Sequence, residues 1–491
     1  MHSTSSSRRT AALRINTPKP PPRRRRAWWI GAGAVVGALA IAVALVTSGT
    51  VSLGSGPAGA PSAGGQAGVT VDFGTSVAVD DPHAIGVDES TYGLPSDVND
   101  PQAQQLLKTL GVGYARIALT LADPSDSSSR VTCAAAGCDT AVEPGKWIQA
   151  MDRAGEVPVA EVPDTISKAD AAKIVRRFAG SKSAGDPITT WVIGNEPNAA
   201  HESAKTFDAN WNRLYAAMKA AEPGIEIGGP ATLGFDQPFL RQFLKDCGSR
   251  ANFIDFHFYP AHEDAAQLRA ELPAMSQDLS TLRSMIKAAV PGRASSVAIH
   301  VGEWNFSADP GTLAQYAFTG FASVLDADLL GRILSAGADS LAWGSKNGPL
   351  SLLYGDTSGP GGASAPSGYK SDTPMPLYEA IGMFTGQGLF PAFGPTIVAS
   401  TSKASGVDAF ASSGPDEIVV VNTGTSARRV SLQVSGSSQA AVAWQLHQTG
   451  TVAGPPVRVG TVTAVNGVFA LSLPGDSVTT LVMTSPASGQ D

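Results

Sequence analysis

The sequence predicts a (β/α)8 barrel followed by an antiparallel β-sandwich and preceded by one transmembrane helix. From residue 82 to 388, eight apolar strand-like runs alternate with amphipathic segments of helical periodicity, which is typical of parallel βα units. Over residues 389–486, short β-branched runs separated by Gly, Asn and Ser turns replace the helical pattern, as in a sandwich. Near the N-terminus, residues 27–47 form an uncharged and mostly apolar run.

Charge is distributed unevenly along the 491 residues, which carry a formal net charge of −7. Residues 1–71 contain eight Lys and Arg and no acidic residue, so the remainder holds 35 − 8 = 27 basic against 42 acidic residues, or −15. Binding to nucleic acid requires a basic face that neutralises phosphates. The acidic remainder therefore excludes nucleic acid as a partner.

The apolar run at residues 27–47 is long enough to span a bilayer as a helix of about 30 Å. Two tryptophans open it, and four consecutive arginines precede it, which predicts a cytoplasmic N-terminus by the positive-inside rule. We expect residues 1–26 to be a disordered basic tail and residues 48–68 a flexible linker. The alternative is a cleaved signal peptide, which would give a secreted rather than a membrane-anchored protein.

The chain contains three cysteines and seven histidines, which are the candidates for disulfide bonds and metal binding. Cys133 and Cys138 bracket four residues and are candidates for a small disulfide loop in an exported protein, with two free thiols as the alternative. Cys247 is expected to be a buried free thiol. The histidines lack a His-x-x-x-His spacing, so the sequence predicts no metal site and no cofactor.

The predicted barrel elements follow from hydrophobic periodicity and from helix-ending glycines. The helix at residues 102–110 places leucines on one face and ends before Gly111, a typical C-cap. No glycine-rich phosphate loop supports the rival fold, a doubly wound open sheet. The predicted strands lie at residues 84–87, 113–119, 157–162, 188–198, 225–230, 253–259, 296–305 and 340–343. The predicted helices lie at residues 102–110, 147–154, 168–179, 207–221, 268–290, 313–336 and 375–385.

Beyond the barrel, five β-branched runs form the predicted sandwich. Residues 69–81, which precede the barrel, are also strand-like and are a candidate for an additional strand of this sandwich. The predicted sandwich strands lie at residues 416–421, 430–434, 442–446, 468–473 and 479–483.

Two acidic residues end predicted barrel strands. Glu196, within Asn195-Glu196-Pro197-Asn198, closes the fourth strand, and the proline behind it cannot continue the strand ladder. Glu303, within Gly302-Glu303-Trp304-Asn305, closes the seventh. Barrel enzymes carry their catalytic groups at the C-terminal ends of the strands. The pattern therefore predicts a site with paired carboxylates.

These motifs resemble the clan of retaining glycoside hydrolases with (β/α)8 barrels. In that clan an Asn-Glu pair ends the fourth strand as acid/base, and a glutamate ends the seventh as nucleophile. The motifs are most similar to family 39, with family 79 and the arabinofuranosidases next, and the resemblance covers residues 82–485. It implies that Glu303 attacks the anomeric carbon while Glu196 protonates the leaving oxygen and later activates water.

The resemblance also implies supporting roles for residues on the second and sixth strands. Arg116 ends the second strand and matches a clan arginine that keeps the nucleophile ionised. His257 and Tyr259 are two residues apart, so both would face the barrel lumen. The matching clan tyrosine hydrogen-bonds the nucleophile. A plain salt bridge for Arg116, and satisfied core positions for His257 and Tyr259, are the alternatives.

Three further residues are candidates for contact with substrate. The clan asparagine that matches Asn195 binds the sugar 2-hydroxyl, with a plain turn residue as the alternative. Trp343 ends the eighth strand and would form a floor for stacking a sugar, unless it only packs. Lys346 would bind a uronate or be a solvated loop charge. Further acids that end strands are substitutes should the glutamate pair be misassigned: Asp88, Glu89, Glu161 and Asp164.

The main functional hypothesis is a membrane-anchored, exported retaining O-glycosidase with an extracellular or cell-envelope poly- or oligosaccharide as its partner. The alternative, from another class, is a catalytically inactive carbohydrate-binding or envelope scaffold protein. The presence of both glutamates together with Asn195, Arg116 and Tyr259 favours the enzyme.

Overall fold

The structure is a computed structural model in which most of the chain after residue 67 is described. The described ranges are residues 68–81, 83–88, 98–123, 125–126, 128–134, 142–179, 187–262, 264–308, 316–355, 369–447 and 454–484. The predicted basic tail, transmembrane helix and linker, and also Glu89 and Cys138, lie outside these ranges, apart from Gly68 at the end of the linker. Within them, no helix combines the length and apolar character needed to cross a membrane.

Eight α-helices and twenty strands are described. The helices are α1 (Pro101–Leu110), α2 (Pro144–Ala154), α3 (Lys168–Phe178), α4 (Ala204–Ala221), α5 (Gln237–Asp246), α6 (Ala265–Ala289), α7 (Gly320–Ser335) and α8 (Pro376–Thr385). The strands are β1 (Val69–Val79), β2 (Ile85–Asp88), β3 (Tyr114–Leu121), β4 (Val131–Cys133), β5 (Val157–Val162), β6 (Thr190–Ile193), β7 (Glu226–Thr232), β8 (Phe253–Phe258), β9 (Ala298–Trp304), β10 (Asp339–Trp343), β11 (Lys346–Asn347), β12 (Leu353–Tyr354), β13 (Thr396–Ser402), β14 (Val407–Ser413), β15 (Glu417–Asn422), β16 (Arg428–Ser435), β17 (Ala440–His447), β18 (Val457–Thr463), β19 (Val468–Leu473) and β20 (Ser477–Thr484).

The predicted barrel is confirmed. Its eight parallel strands follow the chain in the order β2, β3, β5, β6, β7, β8, β9 and β10, and β2 pairs with both β3 and β10, which closes the sheet. The short strand β4 is antiparallel to β3 and lies outside this ring. The helices cover the outer face of each strand, so the positions that face them are apolar. On the inner face, several positions in the barrel lumen carry buried polar side chains.

Helix boundaries follow from local capping. The Asp100 side chain accepts hydrogen bonds from the backbone N–H groups of Gln102 and Ala103 at the start of α1, and Gly111 ends the helix at φ 81°. The prediction that the helix at residues 313–336 begins at residue 313 is wrong. A turn, in which the Thr319 N–H donates to the Tyr316 carbonyl, precedes α7, so the helix begins at Gly320.

The second sheet has nine strands and is antiparallel except where β1 pairs with β16. The predicted second, β-sandwich-type module is thereby confirmed, and β1 contributes to it by pairing with β13 as well. Strand β15 shows how the module is attached. Ile418 and Val420 face the core of the sandwich, whereas Val419 and Val421 face the core shared with the barrel helices. Both faces are buried, so the strand is continuously apolar rather than alternating.

Charged contacts reinforce this junction. Arg269 of α6 donates to the Thr423 carbonyl at 2.5 Å and pairs with Asp476 at 2.6 Å. Arg332 of α7 bridges the fully buried Asp328 and Asp408 of β14, at 2.6 and 2.7 Å. The sandwich is therefore fixed against α6 and α7, the two helices that flank β9 in the chain.

Candidate active site

Glu196 and Glu303 lie at the same end of the barrel. Glu196 comes three residues after β6, the fourth barrel strand, and Glu303 lies in β9, the seventh. One carboxylate oxygen of each residue and a ring nitrogen of His257 all lie within 4.8 Å of one another. Closure of the barrel therefore brings together two acids that are separated by more than one hundred residues in the sequence.

The backbone at Glu196 adopts an uncommon conformation. Its φ is 47°, in the left-handed region that non-glycine residues rarely occupy, and Gly194, two residues before it, has φ 92°. The Glu196 N–H donates to the Ala231 carbonyl of β7 at 2.8 Å. This bond between neighbouring strand ends holds the turn, and such strained positions concentrate at functional sites. The Glu196 side chain is 27% exposed, so it is open to solvent and to ligands.

His257 lies between the two glutamates. Its Nδ1 is 2.9 Å from Glu196 Oε1 and 3.5 Å from Glu303 Oε2, and the ring is fully buried. Burial is the largest influence and disfavours the imidazolium. The Glu303 charge and the hydrogen bond to Glu196 outweigh it and raise the pKa of His257. Both effects depend on the nearby glutamates, so the imidazole is electrostatically coupled to the acid pair.

Glu303 is held through both carboxylate oxygens. Arg116 Nη2 donates to Oε1, and the Tyr259 hydroxyl donates to Oε2 at 2.9 Å. Burial and the Glu303 charge raise the pKa of Tyr259 well above its usual value, so the phenol remains a donor. These two bonds fix the orientation of the carboxylate, and the Glu303 side chain is only 11% exposed.

Arg116 is shared by three carboxyl groups in the lumen. It is 1% exposed, donates to both Asp88 oxygens at 3.3 and 3.1 Å, and has Nη1 3.4 Å from Glu161. Burial, followed by the charges of Asp88 and Glu303, raises the pKa of Glu161 to about 8, although Arg116 opposes the shift. The raised pKa of Glu161 favours its neutral form, so the guanidinium chiefly offsets the charges of Asp88 and Glu303.

The other predicted substrate residues are not part of this hydrogen-bonded cluster. Asn195 is exposed beside Glu196, and Trp343 is half-buried at the end of β10. Lys346 is 6% exposed and pairs with Asp100 and Asp372, each at 2.5 Å. Its interpretation as a solvated loop charge is wrong, because the two aspartates bury and neutralise it. Contact of these three residues with a sugar stays a prediction.

Two cysteine predictions concern residues in the described ranges. Cys133, in β4, is disulfide-bonded, whereas its predicted partner Cys138 lies outside the described residues. Cys247 is a buried free thiol, and burial raises its pKa far above the usual value. A thiol in that state is a poor nucleophile.

Sequence reasoning overlooked Asp255. This residue lies two positions before His257 on β8 and is 1% exposed. Asp255, His257 and Tyr259 share the period of two that places side chains on one face of a strand. The same spacing argument that identified the latter two residues therefore gave a signal for Asp255.

One group of potential metal ligands occurs within the described ranges, namely Glu196, His257 and Glu303. Histidine spacing did not indicate it, because its members come from three strands. Both carboxylate oxygens of Glu303 already accept hydrogen bonds, one from Arg116 and one from Tyr259. A guanidinium next to the carboxylate also opposes a second cation, so the cluster fits acid–base chemistry better than metal binding.

A cavity of about 830 Å³ lies at the opposite end of the barrel. Tyr114, Phe253 and Asp339, which begin strands β3, β8 and β10, line it. Barrel enzymes act at the C-terminal ends of the strands. The cavity is therefore separate from the site around Glu196 and Glu303.

Comparison by sequence finds one partial relative. No family model matches the chain. A β-xylosidase of Geobacillus stearothermophilus is 26% identical over 172 residues, which cover 31% of this chain and 32% of the relative. The match therefore spans about a third of the length of that curated protein.

Comparison by structure finds similar folds along nearly the full length of known proteins. A family 51 α-L-arabinofuranosidase of Thermotoga petrophila has a TM-score of 0.65 at 15% identity, with 85% of this chain and 100% of the other covered. The family 51 arabinofuranosidase of Xanthomonas axonopodis pv. citri has a TM-score of 0.66 at 13% identity, and the match covers 85% of this chain and 100% of the other. A bifunctional glucanase-xylanase from a metagenome library has a TM-score of 0.61 at 16% identity, and the match covers 85% of this chain and 99% of the other.

These likenesses support the barrel with a second, β-sandwich-type module. The structural neighbours named above are family 51 arabinofuranosidases and another glycoside hydrolase, and at 13–16% identity they show that the fold is shared. They do not single out family 39, to which the sequence motifs are most similar.

Proposed function

We propose that this protein is a retaining O-glycosidase that hydrolyses a poly- or oligosaccharide. The observation that carries the proposal is the arrangement of two carboxylates at the C-terminal end of the barrel. One is buried and oriented by Arg116 and Tyr259, and the other is partly exposed beside His257. The two environments differ, as the two different roles require.

The separation of the carboxylates supports retention of configuration. Retaining glycosidases hold the two groups about 5–5.5 Å apart, whereas inverting enzymes leave roughly 6.5–9.5 Å for a water molecule. The closest carboxylate oxygens of Glu196 and Glu303 lie within 4.8 Å. That distance is closer to the retaining range than to the inverting range and therefore favours a covalent intermediate.

In the first step, Glu303 attacks the anomeric carbon as the bond to the leaving oxygen breaks, and protonated Glu196 gives its proton to that oxygen. In the second step, ionised Glu196 takes a proton from water, and the hydroxide attacks the same carbon and releases Glu303. Arg116 and Tyr259 keep the Glu303 oxygens in place through both steps. His257 keeps Glu196 oriented by its hydrogen bond of 2.9 Å.

The proposed substrate is a glycan outside the cell. The relatives named above are a xylosidase, arabinofuranosidases and a glucanase-xylanase, so sugars of plant-type polysaccharides are the first to test. The location rests on the sequence alone. Residues 27–47 would anchor the protein with its N-terminus in the cytoplasm, or would be removed to release it.

The experiment is hydrolysis of an aryl-glycoside panel (xyloside, arabinofuranoside, glucuronide and glucoside) by the purified chain from residue 68 onward. NMR of the first-formed product should show the anomer of the substrate. A 2-deoxy-2-fluoro glycoside of the active sugar should label Glu303, and Glu303→Gln should abolish turnover.

Glu196→Gln should lose most activity toward a glycoside with a poor leaving group, but much less toward a dinitrophenyl glycoside, which needs no proton. Labelling at another residue, or an inverted product, would contradict the mechanism. Glycan binding without hydrolysis of any glycoside would instead favour the scaffold hypothesis.

A further inference from the structure

The seventh barrel strand contains an irregularity just before Glu303. On the β8 side, Val301 is opposite Phe256 and Glu303 is opposite His257, so Gly302 is an extra residue. The pairing with β10 shifts at the same point. Gly302 is therefore the inserted residue of a β-bulge.

The bulge determines which way Glu303 faces. Ile299 and Val301 belong to the core shared with the barrel helices, whereas His300 stacks on Phe253 inside the barrel, with ring centroids 3.9 Å apart. Strict alternation would place Glu303 on the same face as Ile299 and Val301, towards the helices. Because one residue is inserted at Gly302, Glu303 faces the lumen instead, opposite His257.

Asp255 holds this bulge from the neighbouring strand. Its Oδ1 accepts the Gly302 N–H at 2.9 Å, in a fully buried setting. A Cβ atom on residue 302 would overlap both Asp255 carboxyl oxygens, so only glycine fits against this carboxyl group. The insertion displaces the Gly302 N–H from regular strand pairing. The Asp255 carboxyl group accepts this N–H in place of a backbone carbonyl of the neighbouring strand.

We propose that Asp255 is a positioning residue for the nucleophile: by accepting the Gly302 N–H, it fixes the bulge that directs Glu303 into the site. This inference rests on the proposed function in one respect: its kinetic test requires that the protein hydrolyses a glycoside. Asp255 acts through the backbone, so it sets the geometry of attack rather than the affinity for substrate. A small displacement of the reacting carboxylate is sufficient to lower the rate strongly.

The kinetic test compares Asp255→Ala with Asp255→Asn on the best substrate of the panel. Asp255→Ala removes the acceptor and should lower kcat by about 10- to 100-fold, with KM changed less than about threefold. Asp255→Asn keeps an oxygen that can accept the N–H and should restore kcat to within about fivefold of the wild type. An Asp255→Ala variant that is folded and has wild-type kcat would overturn the proposal. So would equal losses in both variants.

Asp328→Ala is the matched control for loss of a buried carboxylate. Asp328 is fully buried and pairs with Arg332 at the sandwich junction, away from the β9 bulge. The control should lower the melting temperature but leave kcat, measured well below that temperature, unchanged. If it reduces kcat as strongly as Asp255→Ala does, the effect of Asp255 is general destabilisation and the proposal fails.

A second measurement separates this inference from the function. Hydrogen–deuterium exchange of the peptide covering residues 299–305 reports the bulge amide whether or not the protein hydrolyses any glycoside. Exchange should be faster in Asp255→Ala than in the wild type, and close to wild type in Asp255→Asn. An inactive wild type would refute the proposed function alone, whereas unchanged exchange in Asp255→Ala would refute the role of Asp255.

Discussion

Tyr259→Phe removes one oxygen from the proposed active site and keeps the ring. The hydroxyl donates to Glu303 Oε2 at 2.9 Å, and Arg116 continues to hold Oε1. A hydrogen bond to a charged group contributes about 1.5–3 kcal/mol, and about 1.4 kcal/mol corresponds to tenfold in rate. Because the bond orients the attacking carboxylate, we expect kcat/KM to fall about 10- to 150-fold in steady-state hydrolysis of an aryl glycoside.

The same structure predicts how the loss depends on pH. Burial and the Glu303 charge raise the pKa of Tyr259, so its phenol stays protonated and donates at every pH at which the protein is assayed. The ratio of wild-type to variant activity should therefore be nearly constant between about pH 5 and 8. A ratio that collapses to one as the pH rises would mean that the hydroxyl does not act as a permanent donor.

Tyr378→Phe is the control for this variant. The Tyr378 side chain is also buried, and its hydroxyl donates to the Leu106 carbonyl at 3.1 Å, between α8 and α1 rather than at the glutamates. Both variants should unfold within a few degrees of the wild type, but only Tyr259→Phe should lose activity. The reasoning is refuted if Tyr259→Phe stays within threefold of wild-type kcat/KM, or if Tyr378→Phe loses as much.

Two further predictions concern stability at the junction of barrel and sandwich. Glu417 is fully buried, neither carboxyl oxygen has a hydrogen-bond partner among the described residues, and burial raises its pKa to about 9. The folded chain then keeps a proton that the unfolded chain releases above about pH 4.5, so stability falls as the pH rises from there towards 9. Glu417→Gln should therefore raise the free energy of unfolding by roughly 3 kcal/mol at pH 7 and by little at pH 4, as measured by urea unfolding. An equal change in the free energy of unfolding at both pH values would contradict this. Gly331→Ala should destabilise the fold by about 1–3 kcal/mol, because the new methyl group would overlap the Phe410 ring, and a melting temperature unchanged from the wild type would show that the junction can shift at no cost.

Much of the fold was predictable because hydrophobic periodicity is local. The third predicted strand coincides with β5, and the other barrel strands shift by a few residues at their ends. The start of α7 was misplaced, since apolar residues before Gly320 continue the helical pattern although the chain forms a turn there. Periodicity indicates which face is buried, but not where the backbone begins its hydrogen-bonded ladder.

The candidate site was predictable only in part. Sequence placed Glu196 and Glu303 at strand ends, and barrel topology then implied that they meet. It treated Lys346 as a loop residue, because its partners Asp100 and Asp372 lie 246 positions before it and 26 after it. Ion pairs between such distant segments leave no local signal.

The sequence by itself determined the strand–helix alternation, the sandwich-type second module and the two glutamates at the ends of the fourth and seventh strands. Only the tertiary structure decided how those glutamates are used. On the sequence, Glu303 has the same parity as Ile299 and Val301, which face the helices. The insertion at Gly302, held by Asp255, reverses that parity, and barrel closure brings Arg116 and Tyr259 to the carboxylate. Register and closure are pairings between strands, so they depend on contacts that no single stretch of sequence contains.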